Sequence, residues 1–226
     1  MYFIQKNLTR FHNIGYTYFL NPNELNQIKY SLKKGDYSIY SPYPDSEKNI
    51  LYKTKVPDVL LYEIKSKVLL RHQDILGTMY SLDISNDLFG DIILYDNRYF
   101  IFILPIIRNY FLTNLIMIRN SHVELVELSV DYLDNYYREF ERMEFIVSSN
   151  RVDTVISSVI HTGRSNITNY IKKKEILLNY DYLKDTSYKL KDGDTFSIKG
   201  IGKFRYNGII KNTKSNHLII EILKYK

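Results

Sequence analysis

Arg164, Ser165 and Asn166, followed by Lys172-Lys173-Lys174, gather a guanidinium, two short hydrogen-bonding side chains and three ammonium groups in one short stretch. Such groups bind phosphate oxygens. The guanidinium offers a fork of donors, and the free N–H groups at a helix start add a partial positive charge. Arg151, Lys199, Lys203 and Arg205 extend the set. A lysine run at a helix end is also favoured by the helix dipole alone, so the reading rests on several basic residues converging. Other chemistry is sparse. His72 and Asp74 stand two apart, the spacing of an acid–base pair, but Asp74 opening a helix with His72 packed beside it is the favoured reading. His12, His72, His122, His161 and His217 show no metal-ligand spacing. The absence of cysteine excludes thiolate metal sites, disulfides and a cysteine nucleophile. Gly200-Ile201-Gly202 is a lone GxG with no helix after it, which argues against a nucleotide loop. These residues point to ionic contact with a polyanion, with no catalytic group, metal, cofactor or small-molecule substrate.

The charge distribution agrees. The chain has 226 residues, with 31 Lys+Arg against 25 Asp+Glu. Residues 151–226 carry 15 basic and 7 acidic residues, a net of +8, whereas the first 150 carry 16 and 18, a net of −2. A basic module on a near-neutral body is the footprint of a nucleic-acid binder, although lysine is common throughout this composition. The 45% hydrophobic share supports one or two domains with real cores and excludes a mainly disordered chain. No stretch reaches the roughly 20 apolar residues of a membrane helix, since residues 99–107 are broken by Pro105 and followed by Arg108. The opening MYFIQKNLTR lacks the apolar core of a secretory signal. A cytoplasmic protein without a membrane partner is expected.

The elements that position these residues can be read in order. Asn21-Pro22-Asn23-Glu24 supplies an N-cap, a proline at the first helical position and a capping-box acid, and Lys33-Lys34-Gly35 ends that helix. Residues 37–46, with two prolines and several tyrosines, read as a surface loop. From residue 65 the pattern predicts a strand at 68–70, a helix over 74–82, strands at 92–95 and 99–104 joined across Asp96-Asn97, a helix from Pro105 over 106–118, and a strand at 123–128. That order, β-α-β-β-α-β, is the ferredoxin-like plait, which is also the fold of a common RNA-binding module. Phe100 and Phe102 share one face of their strand; without a flanking Arg/Lys-Gly motif they are expected to face the helices as core rather than to stack on bases. Residues 131–149 read as a charged connector. Beyond it, Val152, Val155, Ile156, Val159 and Ile160 form an amphipathic stripe with Asn150 as N-cap and Asp153 in the first turn. A second helix runs from Arg164 to about Lys173 with Ile167 and Ile171 inward. Strands follow at 175–179 and 195–199, then a closing hairpin at 204–210 and 217–222.

Several of these residues carry a family likeness. Arg151-Val152-Asp153, Gly163-Arg164-Ser165, Ile171, Ile176, Leu178-Asn179 and Gly193-Asp194 resemble the RNA-binding domain named after ribosomal small-subunit protein four, the S-four domain or alpha-L motif. More narrowly, Ile146-Val147-Ser148-Ser149 and the run from Gly193 to Phe204 resemble YlmH proteins. So do TYFLNP at 17–22, His72-Gln73-Asp74-Ile75-Leu76-Gly77 and Phe89-Gly90-Asp91-Ile92. The sequence departs from the S-four pattern at Gly163, where the family has serine, and at Lys174, where it has glycine. An N-terminal helical stretch is shortened, and a basic segment is missing around residues 40–53. The resemblance implies an RNA-binding protein acting on the ribosome. Its relatives associate with the large subunit and tRNA in the rescue of stalled subunits, and their gene neighbourhood links them to cell division.

The resulting expectation is an α+β chain: a helical lead-in (1–64), a ferredoxin-like plait (65–130), a connector (131–149) and an S-four-type module (150–226). Its function is non-enzymatic binding of structured rRNA or tRNA, with contacts from the C-terminal module. An RNA-modifying enzyme of the pseudouridine synthase or methyltransferase type, or an interaction protein of cell division, is the alternative.

Overall fold

In the computed structural model, which describes residues 2–226 apart from the side chain of Arg164, the chain divides into two units that meet at Tyr137 and Arg138. The first opens with helix α1 (Tyr2–Ile14), which seats Phe11 in the core. Helix α2 (Pro22–Tyr30) starts as its sequence dictates. The Asn21 side chain accepts from the Glu24 N–H at 3.0 Å, and the Glu24 carboxylate accepts from the Asn21 N–H at 2.9 Å. Such a box is worth about 1 kcal/mol. The expected loop at 37–46 instead contains β1 (Ser38–Tyr40), which pairs with β2 (Ile50–Tyr52). Tyr43 is buried and donates to Asp91 at 2.6 Å. The prolines mark a turn, but the tyrosine ring has sheet to cover.

That sheet is built from β3 (Leu60–Ser66), β4 (Phe89–Tyr95), β5 (Arg98–Ile103), β6 (Met117–Ile118) and β7 (Ser121–Leu128). Helix α3 (His72–Ser81) and helix α4 (Arg108–Asn114), the latter opened by a 3-10 turn at Pro105–Ile107, complete the unit. The order is β4-β5-β3-β7-β6, with every pairing antiparallel. Asp96 and Asn97 turn the β4–β5 hairpin with φ of 51° and 56°, as their side chains allow.

The first strand is not at 68–70. Val68 and Leu69 are exposed, and β3 lies earlier, in the centre of the sheet. A central strand buried on both faces shows no apolar–polar alternation. Glu63 inside it further disguises the run, but its carboxylate is held by Arg98 at 2.8 and 2.7 Å. Phe100 and Phe102 are fully buried, but against the face opposite the helices. Tyr62, Ile64, Ile101 and Ile103 pack on Ile75 and Met79 of α3 and Phe111 of α4. Leu61, Ile93, Phe100 and Phe102 pack on Phe19, Tyr43, Ile50, Leu133 and Tyr136. Gly90 permits that second layer: a Cβ there would lie 3.1 Å from the Phe102 Cβ and 3.2 Å from the Phe19 ring. The expected helix over 106–118 stops at Asn114, because Met117 and Ile118 pair with β7.

In the second unit, the connector holds a strand, β8 (Phe140–Val147). Its acidic residues hide the inward set Met143, Phe145 and Val147, which joins the unit's core. Helix α5 (Val152–Val159) buries Val152, Val155, Ile156 and Val159 as the stripe requires. Asn150 is not its cap; Arg151 holds that position, and the Asn150 amide donates to the Leu190 carbonyl at 3.1 Å. Helix α6 (Arg164–Lys172) seats Ile167. Strands β9 (Ile176–Leu178), β10 (Asp181–Tyr182), β11 (Thr195–Ile198), β12 (Gly202–Asn212) and β13 (Leu218–Tyr225) form an antiparallel sheet with β8, in the order β10-β9-β11-β12-β13-β8.

Arg98→Ala strands the buried Glu63 carboxylate and should cost about 3 kcal/mol in urea unfolding, whereas the Glu63→Leu/Arg98→Leu double variant should recover most of that loss. Equal losses in the two variants would show that the pair is not what holds the centre of the sheet.

Candidate nucleic-acid interface

The motif residues of the second unit divide into those that build it and those that face solvent. Arg151 turns back on its own helix: its guanidinium donates to Asp153 at 3.1 and 2.9 Å, and Asp153 also accepts from the Thr154 N–H at 2.8 Å. The Arg151 guanidinium holds the Asp153 carboxyl below the usual carboxylate range. Asn179, with φ of 48°, donates to Asp194 at 2.8 Å and accepts from the Thr195 N–H at 2.9 Å. Asp194 accepts from the Lys191 N–H at 2.8 Å. The Arg-x-Asp and Asn…Gly-Asp signatures are therefore staples of the fold.

Helix α6 has no side-chain cap; Gly163 precedes it, and Ser165 and Asn166 are exposed in its first turn. The Asn166 amide donates to the Thr162 hydroxyl at 2.9 Å. The Arg164 side chain lies outside the described residues. At the other end, Lys172, Lys173 and Lys174 are exposed, with Lys174 at φ of 55° and its ammonium 5.6 Å from the Tyr182 ring. The exposed Lys199 reaches the same end, because its N–H donates to the Glu175 carbonyl at 2.9 Å. Among the described residues, Lys172, Lys173 and Lys199 make no ion pair, so this end of α6 presents unneutralised charge.

Lys203 and Arg205 do not join them. Their neighbours Phe204 and Tyr206 point into the core beneath α5 and α6, so strand alternation sends Lys203 and Arg205 to the opposite face. There the Lys203 ammonium donates to the Tyr180 hydroxyl at 3.0 Å, and the Arg205 guanidinium donates to the Tyr225 hydroxyl at 3.0 Å. The Arg205 guanidinium also lies 4.9 Å from the Phe140 ring, and Arg138 lies 5.3 Å from Tyr225. The predicted set thus falls into three groups: a staple at Arg151, a solvent-facing α6 group with Lys199, and a cation–aromatic group on the far side of the sheet.

In the first unit, the Asp74 carboxylate takes Arg71 at 3.2 and 2.9 Å and has Arg119 at 3.8 Å. These partners, Arg71 first, hold its carboxyl at about 2, which makes it a poor base near neutral pH. A polar cleft of about 240 Å³ is lined by Lys6, Glu24, Lys48 and Asp87 among others. Burial draws the Lys48 amine down to about 8. Its donors are spent on the Asn86 carbonyl and side chain and the Phe89 carbonyl at 2.7–2.9 Å, so it clamps a loop. Among the described residues no group of His, Asp and Glu has the arrangement of a metal site, and no helix is long and apolar enough to cross a membrane.

Residues 58–132 match the family model described as a putative RNA-binding domain in YlmH. Over 145 residues the chain is 24% identical to the ribosome-associated protein quality control protein P2 of Bacillus subtilis (strain 168), covering 64% of this chain and 56% of that protein. The chain thus spans little more than half the length of this relative. It also resembles a solved structure titled cell division protein ylmH from Streptococcus pneumoniae, with 21% identity, a TM-score of 0.46, and coverage of 58% of this chain and 90% of that one. The YlmH likeness read from the residues is borne out. Residue reasoning placed RNA contact on the C-terminal module alone, whereas the family match lies in the first unit. The signal for it was present in His72-Gln73-Asp74-Ile75-Leu76-Gly77 and Phe89-Gly90-Asp91-Ile92, which lie inside the match.

Because Asp153 is ionised more readily folded than unfolded, its contribution is complete above the unfolded value of about 3.9 and is lost as pH falls through the lower folded value. Asp153→Asn should therefore destabilise the protein by about 1–2 kcal/mol at pH 6 and flatten the decline in stability between about pH 5 and pH 3. An unchanged acid profile would contradict the staple.

Proposed function

We propose that this chain is a non-enzymatic, cytoplasmic RNA-binding protein that acts on the ribosome. It grips structured rRNA or tRNA at the large subunit in translation quality control. The observation that carries this is the match of residues 58–132 to a YlmH RNA-binding domain model; the name of the Bacillus subtilis relative supports the ribosomal setting. In this reading the β3-α3-β4-β5-α4-β7 unit is a ferredoxin-like plait, and α5, α6 and the strands after them are an S-four-type module. The α6 end supplies phosphate contacts through Lys172, Lys173, Lys174 and Lys199, with Arg164, Ser165 and Asn166 at the opposite end of the same helix. Arg151 acts by holding α5 in place.

Contacts of this kind recognise shape. Ammonium groups on a convex helix end meet phosphates and 2′-hydroxyls of folded RNA and do not read base edges. No bond is made or broken, and the free energy comes largely from released counterions. Lys172→Ala/Lys173→Ala should weaken binding to purified Bacillus subtilis large ribosomal subunits about tenfold near 0.15 M salt. It should also flatten the dependence of log affinity on log salt by about 1.4–1.8, two phosphates' worth. Unaltered affinity and slope in a well-folded variant would remove the α6 end from the interface.

A further inference from the structure

The matched segment poses a physical problem. Residues 58–132 hold six Lys+Arg and ten Asp+Glu, a net of −4, and both faces of their sheet are buried. Neither average charge nor an open aromatic face can bring RNA to it. The basic residues are, however, unevenly placed. Arg98 and Arg108 are neutralised by Glu63 and Glu127, at 2.7 and 3.0 Å. The other four, Lys65, Lys67, Arg71 and Arg119, all lie at one end of the unit, where β3 runs into α3 beside the β6–β7 turn. The register pairs Ser66 with Val123, the Ser66 and Ser121 hydroxyls are 3.4 Å apart, and Arg71 and Arg119 share Asp74. Asp74, Glu124 across from Lys65, and Asp96 in the β4–β5 turn are the acids there, three against those four cations, which leaves this end weakly positive on a negative unit.

The end is also preorganised. The buried Tyr99 hydroxyl accepts from the Leu70 N–H and donates to the Leu70 carbonyl, both at 2.8 Å, and the Val68 N–H donates to the Ser66 hydroxyl at 3.2 Å. This pins the loop at its base and turns Val68 and Leu69 outward, 47% and 74% exposed, between Lys67 and Arg71. Asp74 is only 8% exposed, whereas the guanidiniums it anchors are 69% and 56% exposed. Two bonds to Asp74 fix the Arg71 guanidinium with its outer edge to solvent, so little of its ordering entropy remains to be lost on binding, and Arg119 stands 3.8 Å from the same carboxylate. Two outward apolar side chains flanked by cations match the wide, shallow minor groove of an RNA duplex, with its apolar sugar edges and rows of phosphate on either side.

From this placement we infer that the loop at residues 66–73, together with Arg119, is the edge by which the matched domain docks on the sugar–phosphate backbone of double-helical RNA. This rests on the RNA-binding reading above and assigns it a second contact surface, distinct from the α6 end. The test measures binding of purified Bacillus subtilis large ribosomal subunits by the full chain, its Lys67→Gln/Arg119→Gln variant, the Lys172→Ala/Lys173→Ala variant and their combination. Arg71 retains Asp74 in every variant, and thermal melting checks the fold. Lys55→Gln, before the opposite end of β3, controls for lost charge. The expected result is a loss of about tenfold for Lys67→Gln/Arg119→Gln, with the salt slope flattened by about 1.4–1.8. The combined variant should multiply the two losses, and the control should stay within about twofold of the parent. Parent-like binding by Lys67→Gln/Arg119→Gln overturns the inference and leaves the RNA-binding reading standing. A loss with unchanged salt slope overturns it in favour of a protein contact. Failure of the parent chain itself to bind overturns both.

Discussion

Leu61, Phe100 and Phe102 leave the five-stranded sheet on one side, and Tyr62, Ile101 and Ile103 on the other, and both sets are buried. The lead-in residues Phe19, Tyr43 and Ile50 and the later Leu133 and Tyr136 cover the face opposite the helices. Everything about how this unit can meet a partner follows from that double burial. Removing the cover would expose a large apolar area and leave the Tyr43–Asp91 bond unmade. The outer faces of the helices, the loops and the strand ends remain as the available surface.

Electrostatics sorts the same surface further. Carboxylates near arginines here have two roles. Glu63 and Asp153 each take one guanidinium, 36% and 39% exposed, whereas Asp74 takes Arg71 in two bonds and has Arg119 at 3.8 Å while leaving them 69% and 56% exposed. An ion pair is thus not by itself a sign that a cation is spent; what matters is which edge of it faces water. The lysines of the α6 end follow the simpler rule, exposed and without an ion pair among the described residues.

Local signals in the sequence proved dependable where one residue enforces one geometry. The capping box at Asn21, the positive φ of Asp96 and Asn97 and the valine–isoleucine stripe of α5 all formed as read. The misreadings share a cause: the burial of a residue is decided by a partner distant in sequence. β3 shows no alternation because a second layer covers it, and Glu63 looks like a surface residue until Arg98 reaches it. β8 looks like a charged connector because Glu141, Arg142 and Glu144 interrupt its apolar residues and break the alternation that would mark a strand. Of the candidate interface, the α6 cations were legible from spacing. That Arg151 is a staple required its side-chain bonds to Asp153, and that Lys203 and Arg205 lie on the far side of their sheet required the strand register.

The account stands on RNA meeting loop and helix ends while the double-covered sheet stays shut. Hydrogen exchange of the chain, free and bound to large ribosomal subunits, tests this most directly. Slower exchange is expected only at residues 66–73, 118–121 and the α6 end, with β1 and β2 unchanged. Faster exchange across β1 and β2 on binding, the mark of a cover layer lifting to expose Phe100 and Phe102, would contradict it.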